Sequence, residues 1–393
     1  MDPVENPYAP GAGTPPPELA GRDALIQQVD VALARLQRGN PAKSSMLVGL
    51  RGVGKTVLLE KMRANAEAAG FETIRIEASE ARSLPSLIAP ALRTALLKLS
   101  RGERMKALAD RALRALTGFA RAMKMKFGDL EVALDLEGEA GLADNGDLES
   151  DLAMLLEATG RAAKAGGTAV TLFIDELQYI EESQFAALIM ALHRVAQLQL
   201  PIGVVGAGLP QLRAKAGNAK SYAERLFDYP EVGPLSPAAA RLALERPAEK
   251  LGVRFDKDAI AEIVIQTRAY PYFLQEWGKA AWDAATASPI TKAVVVDAAQ
   301  IAVAALDESF FRVRFDRLTP AEKRYLRGMA ALGPGPHRSG DVAKVLEQKV
   351  TSLAPVRSTL IAKGMVWSPS HGDTAFTVPL FDEFMKRIMP DDW

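Results

Sequence analysis

The chain contains no cysteine among its 393 residues, which excludes disulfides, thiolate metal sites and cysteine nucleophiles. Histidine occurs only at His193, His337 and His371, too scattered to suggest a zinc site. Neither sign of charge is in excess: Lys plus Arg and Asp plus Glu both total 48. No global field therefore steers the molecule toward nucleic acid, and any basic binding face has to be local. No apolar run approaches the roughly 18 residues that span a bilayer. The start Met1-Asp2-Pro3-Val4-Glu5 lacks the basic and apolar regions of a signal peptide. These absences point to a soluble, cytoplasmic protein without a membrane partner. The chain is too long for one compact core, and its length predicts two or three domains.

What is present begins with Val48-Gly49-Leu50-Arg51-Gly52-Val53-Gly54-Lys55-Thr56. Gly49, Gly54, Lys55 and Thr56 complete the G-x-x-x-x-G-K-[ST] phosphate-binding pattern. The glycines let the backbone wrap a phosphate with its N–H groups inward, and the helix that follows offers its positive N-terminal end. Lys55 is placed to reach the β and γ phosphates, and the Thr56 hydroxyl to bind Mg²⁺. Residues 45–48 read as a short buried strand and 57–62 as the start of a helix, the order that the motif requires. The candidate contacts to a nucleoside triphosphate are Gly49, Arg51, Gly52, Val53, Gly54, Lys55, Thr56 and Val57.

A second constellation lies at Ala169-Val170-Thr171-Leu172-Phe173-Ile174, an apolar strand that runs into Asp175-Glu176. Mg²⁺ held by Thr56 and the phosphates needs a carboxylate, which Asp175 can supply from the strand end. Glu176 would point toward the γ phosphate and polarise an attacking water as general base. A bare Asp-Glu pair at a strand end can also be a simple strand-to-helix turn. Its placement well after a phosphate-binding loop, with helices between, favours the metal and general-base reading. The next buried strand, 202–205, ends at Gly206-Ala207-Gly208. With the strands near 46, 73 and 171 it predicts a parallel sheet wrapped by helices, with nucleotide at the carboxyl ends of the strands. His193, within an apolar helix over 185–199, reads as a packed residue.

Other segments give organisation. Residues 1–18, rich in proline and glycine, read as a disordered extended tail. Helices are expected over 23–36 and 84–99, and a strand over 73–77. The segment 101–126 repeats apolar residues at Met105, Leu108, Ala112, Leu116, Phe119 and Met123, while its opposite face is basic. That face suits a nucleic-acid backbone or an acidic partner, or it is simply solvated. Leu130, Val132, Leu134 and Leu136 then alternate with acidic residues as a half-buried strand.

Leu19-Ala20-Gly21-Arg22-Asp23, the phosphate-binding loop and Thr171-Leu172-Phe173-Ile174-Asp175-Glu176-Leu177-Gln178 together resemble the AAA+ ATPases, most nearly the branch shared by origin-recognition and STAND signalling proteins. The resemblance runs from about residue 19 to the C-terminus. It implies that the ligand is ATP with Mg²⁺, that Gly21 and Arg22 border adenine, and that Asp175 and Glu176 form the Walker B element. It also implies an arginine that reaches the γ phosphate of a neighbouring copy in a nucleotide-dependent homo-oligomer, and Arg225 occupies the matching stretch. Two departures stand out. Rapidly hydrolysing relatives carry a polar residue, often Asn, where this chain has Gly206-Ala207-Gly208. The lid motif reads Arg268-Ala269-Tyr270-Pro271-Tyr272, similar to the Gly-x-Pro motif of STAND proteins with Ala269 in place of Gly. Pro271 is expected near adenine, and Arg268 is within range of the phosphates. Slow hydrolysis, and a switch rather than a processive motor, follow.

Residues 236–315 are helical by pattern, with Pro237 placed as a first helical residue and Trp277 and Trp282 as core. Thr319-Pro320-Ala321-Glu322 starts another helix as a capping box. Helices to about 332, over 339–346 and over 351–363, then strands at 364–367 and 374–378, resemble a winged-helix domain. There the third helix would present Arg357, Ser358 and Lys363 to double-stranded DNA. Between 316 and 393, eleven basic residues face nine acidic ones, a small surplus for a DNA reader, so a protein-docking role stands beside it. The expected fold is α/β: a P-loop AAA+ parallel sheet flanked by helices (19–235), an all-helical lid (236–315) and a winged-helix domain (316–393). Three functions remain open: a DNA-binding ATPase, a STAND-like switch for a protein partner, and a nucleotide sensor without turnover.

Overall fold

The computed structural model describes residues 1–11, 13–102, 105–130 and 137–390. Of the acidic strand expected after the basic helix, residues 131–136 lie outside the described residues. The chain divides into two compact units, one of residues 24–48 and 55–231, the other of residues 1–23, 49–54 and 232–393.

The first unit is the α/β layer. In chain order it runs α1 (Asp23–Gln37), β1 (Ser44–Val48), α2 (Lys55–Ala68), β2 (Glu72–Glu77), α3 (Leu84–Leu99), α4 (Lys106–Phe127) and α5 (Leu148–Ala165). There follow β3 (Val170–Asp175), α6 (Glu182–Gln197), β4 (Ile202–Gly208), α7 (Leu212–Ala219), α8 (Ala223–Leu226) and β5 (Phe227–Asp228). Among the described residues the sheet has five strands in the order β2-β3-β4-β1-β5, all parallel. Every residue of β3 and β4 is buried, as strands covered on both faces require. Gly206 of β4 pairs with Met46 and Ile174, and a Cβ there would overlap the side chains of Leu177 and Met46. The glycine thus admits Leu177 under the strand end. Helix α4 buries Ala112, Leu116, Phe119 and Met123, while Lys106, Arg111, Arg114, Arg121, Lys124 and Lys126 are exposed. His193 packs its ring on Tyr222 at 4.5 Å.

The second unit is mainly helical. It contains α9 (Pro237–Glu249), α10 (Lys257–Thr267), α11 (Pro271–Ala284), α12 (Lys292–Leu306), a π turn (Asp307–Phe311), α13 (Arg312–Phe315) and α14 (Pro320–Ala331). Then come β6 (His337–Arg338), α15 (Ser339–Val345), α16 (Val350–Ala362), β7 (Val366–Trp367), β8 (Asp373–Phe376) and α17 (Phe381–Ile388). The three short strands form an antiparallel sheet in the order β6-β8-β7. Local chemistry sets the helix starts: the Ser236 side chain accepts from the Ala239 N–H ahead of Pro237, and Thr319 with Glu322 closes a capping box. One core joins the lid helices to the C-terminal segment, with Phe311 ringed by Phe273 (6.3 Å), Phe381 (5.8 Å) and Phe384 (5.3 Å).

The first residues differ from the tail read in the sequence. Tyr8 is 2% exposed and lies over Gly278 of α11, and its hydroxyl donates to the Leu244 carbonyl. The Asn6 amide donates to Asp283 at 2.8 Å, and the Trp282 indole donates to the Asp2 carbonyl at 3.0 Å. The segment carries a 3-10 turn at Pro3–Glu5, and one large ring is enough to dock the rest as a strap. Among the described residues no helix is long and apolar enough to cross a membrane.

Candidate nucleotide site

In the α/β unit the functional side chains converge on the first turn of α2 and the end of β3. The Thr56 hydroxyl donates to Asp175 Oδ2 at 2.6 Å. The Glu176 N–H donates to Asp175 Oδ1 at 2.9 Å. Asp175 is 5% exposed, and burial pushes its carboxyl above the usual range. The Thr56 hydrogen bond and the Lys55 charge oppose that rise without cancelling it, and the Glu176 charge adds to it. A buried carboxyl short of positive charge, bonded to a hydroxyl at a helix N-terminus, fits a divalent cation. Among the described residues no cluster of three acidic or histidine side chains could hold a metal without further ligands, which phosphate oxygens would provide here.

Glu176 sits in the left-handed region (φ 53°, ψ 37°), a strained conformation for a residue with a Cβ. Its carboxylate accepts from the Gln178 amide. Gln178 was not singled out in the sequence reading, although it stands two residues beyond the acidic pair. Its own Oε1 accepts from the Leu209 N–H at 3.1 Å, at the end of β4.

The phosphate-binding loop, residues 49–54, belongs to the other unit and is held there by its backbone. Gly52 and Gly54 have φ of 78° and 88°, values that favour glycine. A Cβ on Gly54 would meet nothing within 4 Å, so the loop is open at that point. The Gly52 carbonyl accepts from the Tyr272 N–H at 3.1 Å, one residue past Pro271 at the start of α11. The Arg51 N–H donates to the Thr377 carbonyl at 3.0 Å. The Arg22 guanidinium donates to the carbonyls of Gly233 and of Val53, the latter at 3.4 Å. Gly21, with φ 69°, packs so closely on α9 that a Cβ would lie 2.5 Å from that of Ala239. Gly49 backs onto the Val232 carbonyl, and Val53 is buried. Val57, in the first turn of α2, is half-buried. The structure thus gathers Arg22, residues 49–54 and Pro271 in one unit, and Lys55, Thr56, Asp175 and Glu176 in the other. Tyr272 and Thr377 were missed because a backbone hydrogen bond leaves no mark in side-chain chemistry.

Arg225 lies exposed on α8, and no hydrogen bond or ion pair engages its guanidinium among the described residues. Arg268 pairs with Glu383 at 2.7 Å, and it and Ala269 both have positive φ. Two of the three candidate DNA-contact residues have partners within the C-terminal segment. The Arg357 guanidinium donates to Thr374 Oγ1 (2.6 Å), Ser368 Oγ (2.9 Å) and the Asp373 carbonyl (2.7 Å), pinning α16 to the β7–β8 hairpin. Lys363 donates to the buried Glu322 at 2.8 Å and to the Arg317 carbonyl at 3.2 Å. Both cations thus have partners within the C-terminal segment and are half-buried, while Ser358 is exposed.

Comparison with known proteins bears on the fold. Residues 18–205 match the family described as AAA ATPase domain, and residues 308–385 match a domain of unknown function, DUF8462. No curated protein matches the sequence. Among solved structures, a Walker-type ATPase of Pyrococcus abyssi is similar with a TM-score of 0.56 at 14% identity, over 95% of this chain and 97% of that one. The Orc1 protein of Aeropyrum pernix, solved in complex with DNA, gives 0.46 at 17% identity over 95% and 94%. The RuvB Holliday junction branch migration motor of Thermotoga maritima gives 0.44 at 16% over 91% and 92%. The parallel five-stranded sheet flanked by helices, with its helical C-terminal region, is the fold of P-loop AAA+ ATPases, and residues 18–205 match the AAA ATPase domain.

Proposed function

We propose that this protein is an ATP-binding, slowly ATP-hydrolysing molecular switch. The supporting observation is the pair of backbone hydrogen bonds on the phosphate-binding loop, Gly52 to Tyr272 in α11 and Arg51 to Thr377 beyond β8. A loop that must rearrange around phosphates, and that is bonded on adjacent residues to the lid and to the C-terminal segment, passes its state to both.

In this reading Lys55 neutralises the β and γ phosphates, and the loop amides cradle them. Mg²⁺ would supply further charge neutralisation, with Thr56 Oγ1 and Asp175 as its protein ligands. Glu176 orients a water and takes its proton. Arg225, exposed and uncommitted, completes the γ-phosphate site of a second copy when the protein assembles. Pro271 and Arg22 border the base. Hydrolysis is slow because β4 ends in Gly206-Ala207-Gly208 without a polar side chain of its own to hold the water.

The C-terminal segment is read as a winged helix whose partner is a protein. The observation favouring protein over duplex DNA is that Arg357 and Lys363 are consumed internally, which leaves α16 with Ser352, Ser358 and Thr359 outward and no free cation for phosphate.

The test is calorimetric titration of ATP and ADP with Mg²⁺ into the wild type and Lys55→Ala, phosphate release, and titration of a labelled random duplex across a salt series. The reading expects ATP binding that Lys55→Ala abolishes, slow phosphate release and no duplex binding. Absence of nucleotide binding sinks it. Binding without turnover leaves a sensor, and tight, salt-sensitive, ATP-dependent duplex binding restores the DNA-binding alternative.

A further inference from the structure

The geometry points to Gln178 as the positioning residue for Glu176; this inference rests on the hydrolytic reading above. The side-chain amide of Gln178 is used at both ends. Its Nε2 donates to Glu176 Oε2, and its Oε1 accepts from the Leu209 N–H at 3.1 Å. The main chain around it is anchored as well: Lys215 Nζ donates to the Gln178 carbonyl at 2.9 Å and to the Ile180 carbonyl. The carboxylate is therefore tied, through one amide and one backbone N–H, to the end of the strand that runs between β3 and β1.

The residues of β4 make room for this arrangement. A Cβ at Gly208 would stand 2.9 Å from Gln178 Oε1, and one at Gly206 would collide with Leu177. A side chain at Gly208 would crowd the Gln178 amide, so the bare glycine there gives the bridge its room. The tie also compensates a local weakness. Glu176 lies in the left-handed region, where a strained backbone sets its side-chain direction, and the bond from Gln178 adds an anchor at the carboxylate itself. A general base displaced by about 1 Å loses on the order of 100-fold in rate. Gln178 touches neither nucleotide nor water in this account and acts only through Glu176.

Gln178→Glu separates positioning from folding. It keeps an acceptor for the Leu209 N–H and the shape of the side chain, and replaces the donor to Glu176 with a like charge. Gln178→Ala removes both ends. Steady-state ATP hydrolysis, equilibrium ATP affinity by fluorescent-nucleotide titration, and thermal melting are measured for both variants and the wild type. We expect kcat to fall about 10- to 100-fold in each. KM and ATP affinity should stay within about 2-fold, and the melting temperature of Gln178→Glu should match the wild type. Unchanged or faster turnover in Gln178→Glu overturns the assignment, as does a loss of turnover that is matched by lost ATP affinity. A wild type that binds ATP and never releases phosphate overturns the hydrolytic reading itself, and this assignment with it.

Discussion

Gly278→Ala puts the docked N-terminal strap to a test of sign. Gly278 lies mid-way along α11, where alanine normally stabilises a helix by roughly 0.5–1 kcal/mol. Here a Cβ would stand 2.7 Å from Tyr8 Cδ1 and 2.9 Å from two further ring carbons. The ring cannot retreat freely, because Tyr8 is 2% exposed and its hydroxyl is bonded to the Leu244 carbonyl. Overpacking of this kind costs about 1–3 kcal/mol. The net change should be destabilising, by up to about 2 kcal/mol, or a drop of roughly 2–8 °C in Tm for a unit of this size. In a Tyr8→Ala background the obstruction is gone, and the same substitution should raise Tm relative to Tyr8→Ala alone. Tyr8→Ala itself should cost about 3–5 kcal/mol, the usual penalty for deleting a buried aromatic side chain. Differential scanning calorimetry of the four proteins closes the cycle. If Gly278→Ala raises Tm in the wild-type background, the strap does not occupy the groove over α11, and the contacts of Asn6 and Asp2 fall with it.

Lys363→Met should destabilise by about 1–3 kcal/mol at neutral pH, because it leaves the Glu322 carboxylate buried without its cation. Burial pushes the Glu322 carboxyl up, but hydrogen bonds from Lys363 and the Thr319 N–H outweigh it and hold the pKa below the usual value. That stabilisation is complete above the unfolded carboxylate pKa near 4.3 and is lost as pH falls through the folded value. Chemical denaturation from pH 7 downward should therefore show a smaller acid loss in Lys363→Met, and an unchanged acid limb would refute the pairing. Asp175→Asn removes a carboxyl whose ionised form burial disfavours, so without nucleotide its Tm should equal or exceed that of the wild type. The Tm gain on adding ATP with Mg²⁺ should disappear in the same variant, and a retained gain would remove Asp175 from the metal site. Arg225→Ala should leave ATP affinity intact and remove any rise of specific turnover with protein concentration; a variant that still shows that rise excludes Arg225 as the residue acting in a second copy.

The parts of the fold and site that the sequence revealed are those whose geometry is local. Gly49 to Thr56 is a continuous loop and helix start, and Asp175 and Glu176 end an apolar strand, so residue type and spacing suffice to place them on those elements. The four strands near 46, 73, 171 and 202 follow from apolar runs, whereas their order in the sheet and the short β5 do not. The contacts that were missed join residues distant in the chain: Leu209 to Gln178, Tyr8 to Leu244, Arg51 to Thr377. No periodicity carries such pairings. The internal partners of Arg357 and Lys363 escape the sequence for a related reason. A cation on a helix reads as available in sequence, whereas Thr374 and Ser368 in one case and Glu322 in the other become its partners only once the chain is folded.

The glycines of β4 tie these two kinds of information together. Read alone, Gly206-Ala207-Gly208 is a deficit, the loss of a polar side chain that would face the reacting water. Read with the packing, Gly206 gives space to Leu177 and Gly208 gives space to Gln178 Oε1, so the turn after β3 presses against the end of β4. The same turn forces Glu176 into the left-handed region and supplies the amide that holds its carboxylate. In the proposed hydrolytic reading, a strained general base on a short tether has few alternative positions, which suits a site that fires seldom and then in one geometry. In that reading slow turnover and a well-held Glu176 are compatible: the tether would fix the base, and the missing polar group on β4 would leave the water to be ordered by Glu176 alone.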